Sequence, residues 1–202
     1  MQVEHPPVQS TPILLEKLPD PAIPDRLCPR RARLQLDLLL LALEALELGG
    51  SEKLLNVAKE LELQGIIKNR VNLWRLRNTN PLRRSNQRDP LTLTEAKALV
   101  VLVCHQARRL TSLIRQLLLA QQRMQEDERL AKAHHFYLEE YLERFRAHFR
   151  ARMNPKRSAV AAYNTDEKLN TLALNLLGQL LFCTGTAGLE RLWSSLFDGE
   201  VV

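Results

Sequence analysis

Arginine is the residue whose placement says most about possible chemistry in this sequence. The 202 residues include 29 basic against 23 acidic side chains, a net charge of +6, and the excess is unevenly distributed. Residues 65–90 hold Lys68, Arg70, Arg75, Arg77, Arg83, Arg84 and Arg88 against Asp89 alone, a net of +6. Residues 144–157 hold Arg144, Arg146, Arg150, Arg152, Lys156 and Arg157 with no acid, a second +6. The remainder therefore sums to −6: an acidic scaffold carries two basic segments. Arginine outnumbers lysine 21 to 8, and its planar, weakly hydrated guanidinium makes bidentate contacts to carboxylate or phosphate that an ammonium cannot. The candidate anion- or partner-binding residues are thus Lys68, Arg70, Arg75, Arg77, Arg83, Arg84, Arg88, Arg146, Arg150 and Arg157. The competing reading is that these arginines pair with the chain's own acids or solvate a helix face, the ordinary fate of charge runs.

Half of the ten aromatic residues lie in residues 136–149. Tyr137, Tyr141, Phe145 and Phe149 recur every four residues and form one ridge of a helix, with Arg144, His148 and Arg152 on the adjacent ridge. Such a pair of ridges can stack bases and hold phosphates. A packed seam between two helices accounts for the same spacing with no ligand. One stretch suggests a helix-turn-helix: a helix over residues 52–63, a turn at Gly65, then Asn69, Arg70, Asn72, Arg75 and Arg77, residue types that read base edges in the major groove. Its Ala58-to-Gly65 spacing departs from the close spacing of that motif.

Metal and catalytic patterns are weak. His135 and Glu139 lie one helical turn apart behind His134, yet neither H-E-x-x-H nor paired Glu-x-x-His is present. Cys104 neighbours His105 with no identifiable third partner, so it reads as a small apolar core residue rather than a nucleophile. No Gly-rich phosphate loop, nucleophile elbow or dinucleotide fingerprint occurs. Neither a cofactor nor a metal is expected. Cys28, Cys104 and Cys183 are odd in number and far apart in sequence, which suggests neither a disulfide framework nor a zinc knuckle and fits a reducing, cytoplasmic setting. The N-terminus lacks a basic region followed by an apolar one, and no apolar run is long enough to cross a bilayer.

Helices must position these residues. Residues 1–29 contain seven of the ten prolines, which forbid a continuous helix and predict a flexible arm. Residues 30–202 are expected to form a single helical domain. A first helix runs from Arg30 to the glycines at 49–50 and is apolar nearly all round. Ser51 caps a second that stops at Gly65, and a third follows to a polar loop over residues 78–90. The T-x-x-E of Thr92 and Glu95 is a capping box. The helix it opens meets no Gly or Pro before a polar window at residues 121–129, and a further stretch ends at Asn154-Pro155. These two stretches are either an antiparallel hairpin, the preferred reading, or one long rod. Thr165 caps a helix stopped near Gly185, and a short helix over residues 187–197 closes the pattern. The fold class is all-α: an irregular bundle of six or seven helices with a Pro-rich N-terminal arm.

The stretch GIIKNRVNLWRLRNTNPLRRSNQRDPLTLTEAKALV, residues 65–100, resembles a helical domain-of-unknown-function family found in cyanobacteria. The likeness extends over residues 34–197 and includes AAYNTDEKLNTLALNLLGQLLFCTGTAG, residues 161–188. It implies a bacterial, photosynthetic host and a cytosolic protein, and brings no activity, cofactor or catalytic residue with it. The reading that follows from the residues is a non-enzymatic helical binding or adaptor protein engaging an anionic partner, an acidic protein surface or a nucleic acid. A DNA- or RNA-binding regulator is second and an enzyme third.

Overall fold

The computed structural model describes residues 28, 30–47, 92–126, 128–153, 158–185 and 187–197. Among them are six helices of ten or more residues, one four-residue turn, and no strand. Residues 1–27, the second and third helices expected over residues 51–77 and the loop over residues 78–90 lie outside the described residues.

Helix α1, Arg30–Ala45, contains neither Gly, Pro nor a β-branched residue, and its Leu, Ala, Arg and Gln are strong helix formers. Leu36, Leu39, Leu43, Ala45 and Leu46 are fully shut off from water, and Leu38, Leu40 and Leu41 nearly so. A helix apolar over most of its surface must be surrounded, and α1 packs against four other helices. The core also reaches ahead of it to the buried Cys28.

Helix α2, Leu93–Arg109, opens on the expected capping box. The Glu95 amide donates to Thr92 Oγ1 at 3.2 Å, and the Thr92 amide donates to Glu95 Oε2 at 2.9 Å. The predicted run to residue 121 is interrupted at Leu110 (φ −94°, ψ 8°), where helix α3, Thr111–Glu126, begins. At the break Thr111 Oγ1 donates to the carbonyls of Arg108 (2.8 Å) and Ala107 (3.1 Å), the side-chain bonding that bends helices. The break redirects the chain: α2 packs on α1 and on the last helix, whereas α3 packs on the helix that follows it.

That helix is α4, Glu128–Arg152. Two helices separated by one residue can lie against each other over their length only if they run antiparallel, so α3 and α4 form a hairpin. A single turn, α5 (Ser158–Ala161), leads to α6, Asp166–Phe182, whose amide at Lys168 donates to the capping Thr165 Oγ1 at 3.3 Å. Asp166 and Glu167 add negative charge at its positive end. Helix α7, Gly188–Phe197, buries Leu189, Leu192, Trp193 and Leu196. It starts so close to the end of α6 that a Cβ on Gly188 would lie 2.4 Å from the Cys183 carbonyl oxygen. Only glycine allows this approach. No described helix is long and apolar enough to cross a membrane.

Candidate functional site

The basic segment of α4 acquires from the tertiary fold the acids it lacks in sequence. Arg146 and Arg150 are one turn apart and face Asp166 and Asn170, themselves one turn apart at the start of α6. Arg146 Nη1 donates to Asn170 Oδ1 at 2.7 Å, and its Nε lies 3.8 Å from Asp166 Oδ2. Arg150 Nη2 donates to Asp166 Oδ1. Arg144 lies 3.7 Å from Glu140 on its own helix. Arg152 pairs across the bundle with Glu44 of α1, a carboxylate only 4% exposed. Of the candidate residues in this segment, Arg146 and Arg150 are therefore clasped to α6, and Arg157 lies outside the described residues. Arg150 and Asp166 both keep more than half of their side chains in water. Such a pair contributes about 0–1 kcal/mol, so it orients α4 and α6 more than it stabilises them. Lys68, Arg70, Arg75, Arg77, Arg83, Arg84 and Arg88, with the helix-turn-helix candidates Asn69 and Asn72, also lie outside the described residues.

The aromatic ridge is a packed seam. Tyr141, Phe145 and Phe149 are buried, with successive ring centroids 6.4 and 6.1 Å apart, and Tyr163 closes on Phe149 edge to face at 6.1 Å. The Tyr141 hydroxyl donates to the Ala173 carbonyl at 3.0 Å, and burial pushes its ionisation far above the usual phenol range. No buried ring offers a face to a base. Tyr137, the fourth member of the ridge, is exposed.

A third basic surface is not apparent as a sequence motif. Helix α3 turns Ser112, Arg115, Gln116, Gln122 and Arg123 outward, with Leu119 at the centre of this face and 50% exposed. Arg115 and Arg123 are eight residues apart, about 12 Å along the axis, and among the described residues no acid is paired with either. The sequence signal is an absence. Residues 96–125 contain Lys97, Arg108, Arg109, Arg115 and Arg123 and not one acid. The bases are too dispersed among leucines to register as a charge run.

The reactive-looking side chains are redistributed by the fold. The thiol of Cys104 shares a hydrogen bond with that of Cys183, not with His105, because sequence neighbours on a helix point in different directions. That bond and burial push the Cys104 thiol up, out of nucleophilic use. Among the described residues no group of three or more His, Cys, Asp or Glu is placed to hold a metal ion. The His134 and His135 side chains lie outside the description.

Asp37 is the most perturbed carboxyl in the described bundle. Its Oδ2 is closed off from water with no hydrogen-bond partner, and burial, opposed by the charge of Arg33, pushes its pKa up to about 7. The nearby Cys28 thiol is pushed up to about 11, chiefly by burial. The folded chain then holds a proton on Asp37 that the unfolded chain releases near pH 4. Stability from this group is complete below about pH 4 and is lost as pH rises through about 7. Asp37→Asn is expected to gain in melting temperature relative to the wild type between pH 5 and pH 8. An equal difference at both pH values would mean that this carboxyl ionises normally.

With this geometry in hand, comparison with other proteins adds a family. The family described as protein of unknown function (DUF3038) matches residues 29–198. No curated protein and no solved structure matches the chain. The match spans every described helix, and the chain belongs to the DUF3038 family of proteins of unknown function.

Proposed function

We propose that the chain is a non-enzymatic helical binding or adaptor protein that engages an anionic partner through arginine-rich surfaces. The observation that carries this reading is the outward face of α3, where Arg115 and Arg123 flank an exposed Leu119 within thirty residues free of acid. A bundle that spends arginines of α4 on its own acids while leaving Arg115 and Arg123 without an acid among the described residues suits an acidic partner. The density of Lys68, Arg70, Arg75, Arg77, Arg83, Arg84 and Arg88 supports the same reading from sequence. An apolar centre rimmed by arginine is the anatomy of a protein interface more than of a phosphate track, which favours an acidic protein surface over nucleic acid. The likeness to cyanobacterial sequences supports a bacterial, cytoplasmic setting for that partner.

Two charge-reversal variants test the proposal: Arg83→Glu with Arg84→Glu and Arg88→Glu, and separately Arg115→Glu with Arg123→Glu. Capture of partners from host lysate, with and without nuclease, followed by affinity measurement of the recovered partner, is expected to give a nuclease-resistant protein. Each variant is expected to bind it at least about tenfold more weakly, and added salt to weaken it further. If nuclease abolishes capture and affinity falls steeply with salt, the DNA- or RNA-binding regulator is the better reading. If both variants bind as the wild type does, neither surface is the site.

A further inference from the structure

We propose that the outward face of α3 takes an acidic amphipathic helix of a partner protein, one with two carboxylates about eight residues apart and an apolar side chain midway between them. This deepens the reading just given and rests on it. Arg115, Leu119 and Arg123 follow one another at four-residue intervals, and all three are exposed. Residues at that interval line up as one ridge, and such ridges are what helices present to one another when they pack. The other side of α3 is already used: Ile114, Leu117 and Ala120 are buried, and the helix packs against α4 and α6. The ridge is the side left for a further element.

Charge complementarity selects what covers it. Arg115 and Arg123 stand about 12 Å apart along the axis, and among the described residues neither is paired with an acid. To meet both guanidiniums at once, partner carboxylates must stand at the same separation, one beyond each side of Leu119. On a helix that separation is about eight residues, and side chains at four-residue intervals share one face. Two acids with one apolar residue between them therefore complete the match. Gln116 and Gln122 are exposed on either side of the ridge and form the polar rim that such an apolar centre requires.

Other occupants suit the ridge less well. An extended peptide binds through its backbone to the edge of a sheet, but α3 spends its own amides and carbonyls inside the helix and offers no edge. The peptide's amide groups would be left unpaired against Leu119, at a cost in desolvation. A helix arrives with those bonds already made. A nucleic acid would lay phosphates against Leu119, and this face carries no exposed ring on which a base could stack. A lipid surface calls for several apolar residues on one face of a helix, and Leu119 is the single large apolar side chain exposed on α3 among its described residues.

The test is fluorescence anisotropy of dye-labelled, side-chain-stapled helical peptides titrated with the full chain. The matched peptide carries Glu at i and i+8 with Leu at i+4. A shuffled peptide has the same composition with the two Glu on opposite faces, and a reversed peptide has Lys in place of both Glu. The wild type is expected to bind the matched peptide at least about tenfold more tightly than the shuffled one, and Leu119→Ala to weaken that binding about fivefold. Arg115→Glu with Arg123→Glu is expected to exchange the preference, taking the reversed peptide over the matched one. A gain of that kind cannot come from unfolding. Equal affinity for the matched and shuffled peptides overturns the proposal, as does a charge-reversed variant that gains nothing toward the Lys peptide. Either result leaves the broader reading standing if that variant still loses the partner captured from lysate, whereas retention of that partner removes the α3 face from both. Tighter binding of duplex DNA or of phosphatidylglycerol vesicles than of the matched peptide, lost on the same charge reversal, also overturns the proposal and assigns the face to nucleic acid or membrane.

Discussion

Replacing Arg152 with methionine is expected to destabilise the bundle by about 2–4 kcal/mol, read as a lower urea midpoint at an unchanged slope. The reason lies in its partner. Glu44 is 4% exposed and sits on the central helix α1 beside Leu43, Ala45 and Leu46, none of which touches water. Arg152, 26% exposed, brings a guanidinium to that carboxylate from the last turn of α4. A buried charge deprived of its countercharge costs more than the pair contributed, because the desolvation remains after the attraction is gone. The effect should fall short of the largest known for buried pairs, since Arg152 keeps a quarter of its side chain in water. The double variant Glu44→Leu with Arg152→Met removes both charges and is expected to recover most of the loss. Additive losses in the double variant would show that the two residues act separately, contrary to the pairing.

Phe145→Ala is expected to cost about 3–5 kcal/mol. Phe145 is fully buried between Tyr141 and Phe149, so deleting its ring removes apolar contact and leaves a cavity that two neighbouring rings and α6 cannot easily fill. Tyr141→Phe keeps the ring and removes only the donor to the Ala173 carbonyl, and should cost about 1 kcal/mol. Thermal or urea unfolding distinguishes the two. If Phe145→Ala kept wild-type stability while partner binding was lost, the aromatic ridge would be a recognition surface and its assignment to the core would fail.

Features that depend on neighbours along the chain are legible in the amino-acid sequence itself. Thr92 and Glu95 stand three residues apart, and Thr165 stands three before Lys168. A cap is satisfied within one turn, so spacing alone identifies it. The leucine-rich run of α1, interrupted only by isolated acids, could be stable only in the middle of a bundle. The break at Leu110 is not legible, because no Gly or Pro marks it. At it a threonine hydroxyl takes carbonyls that an amide could equally have taken. The outward face of α3 stays hidden for a related reason: periodicity shows which residues share a face but not whether that face meets water.

The sequence by itself therefore determined an all-helical chain, its caps, its central apolar helix and a segregation of charge. Only the tertiary structure decided which charges are still available. Arg146 and Arg150 meet Asp166, Arg152 meets Glu44, and Cys104 meets Cys183 across separations of 16 to 108 residues. Helix formation is governed by interactions within a few residues. Pairing of charges and thiols is governed by distance in space, which closes only once the apolar faces have packed and brought remote parts of the chain together.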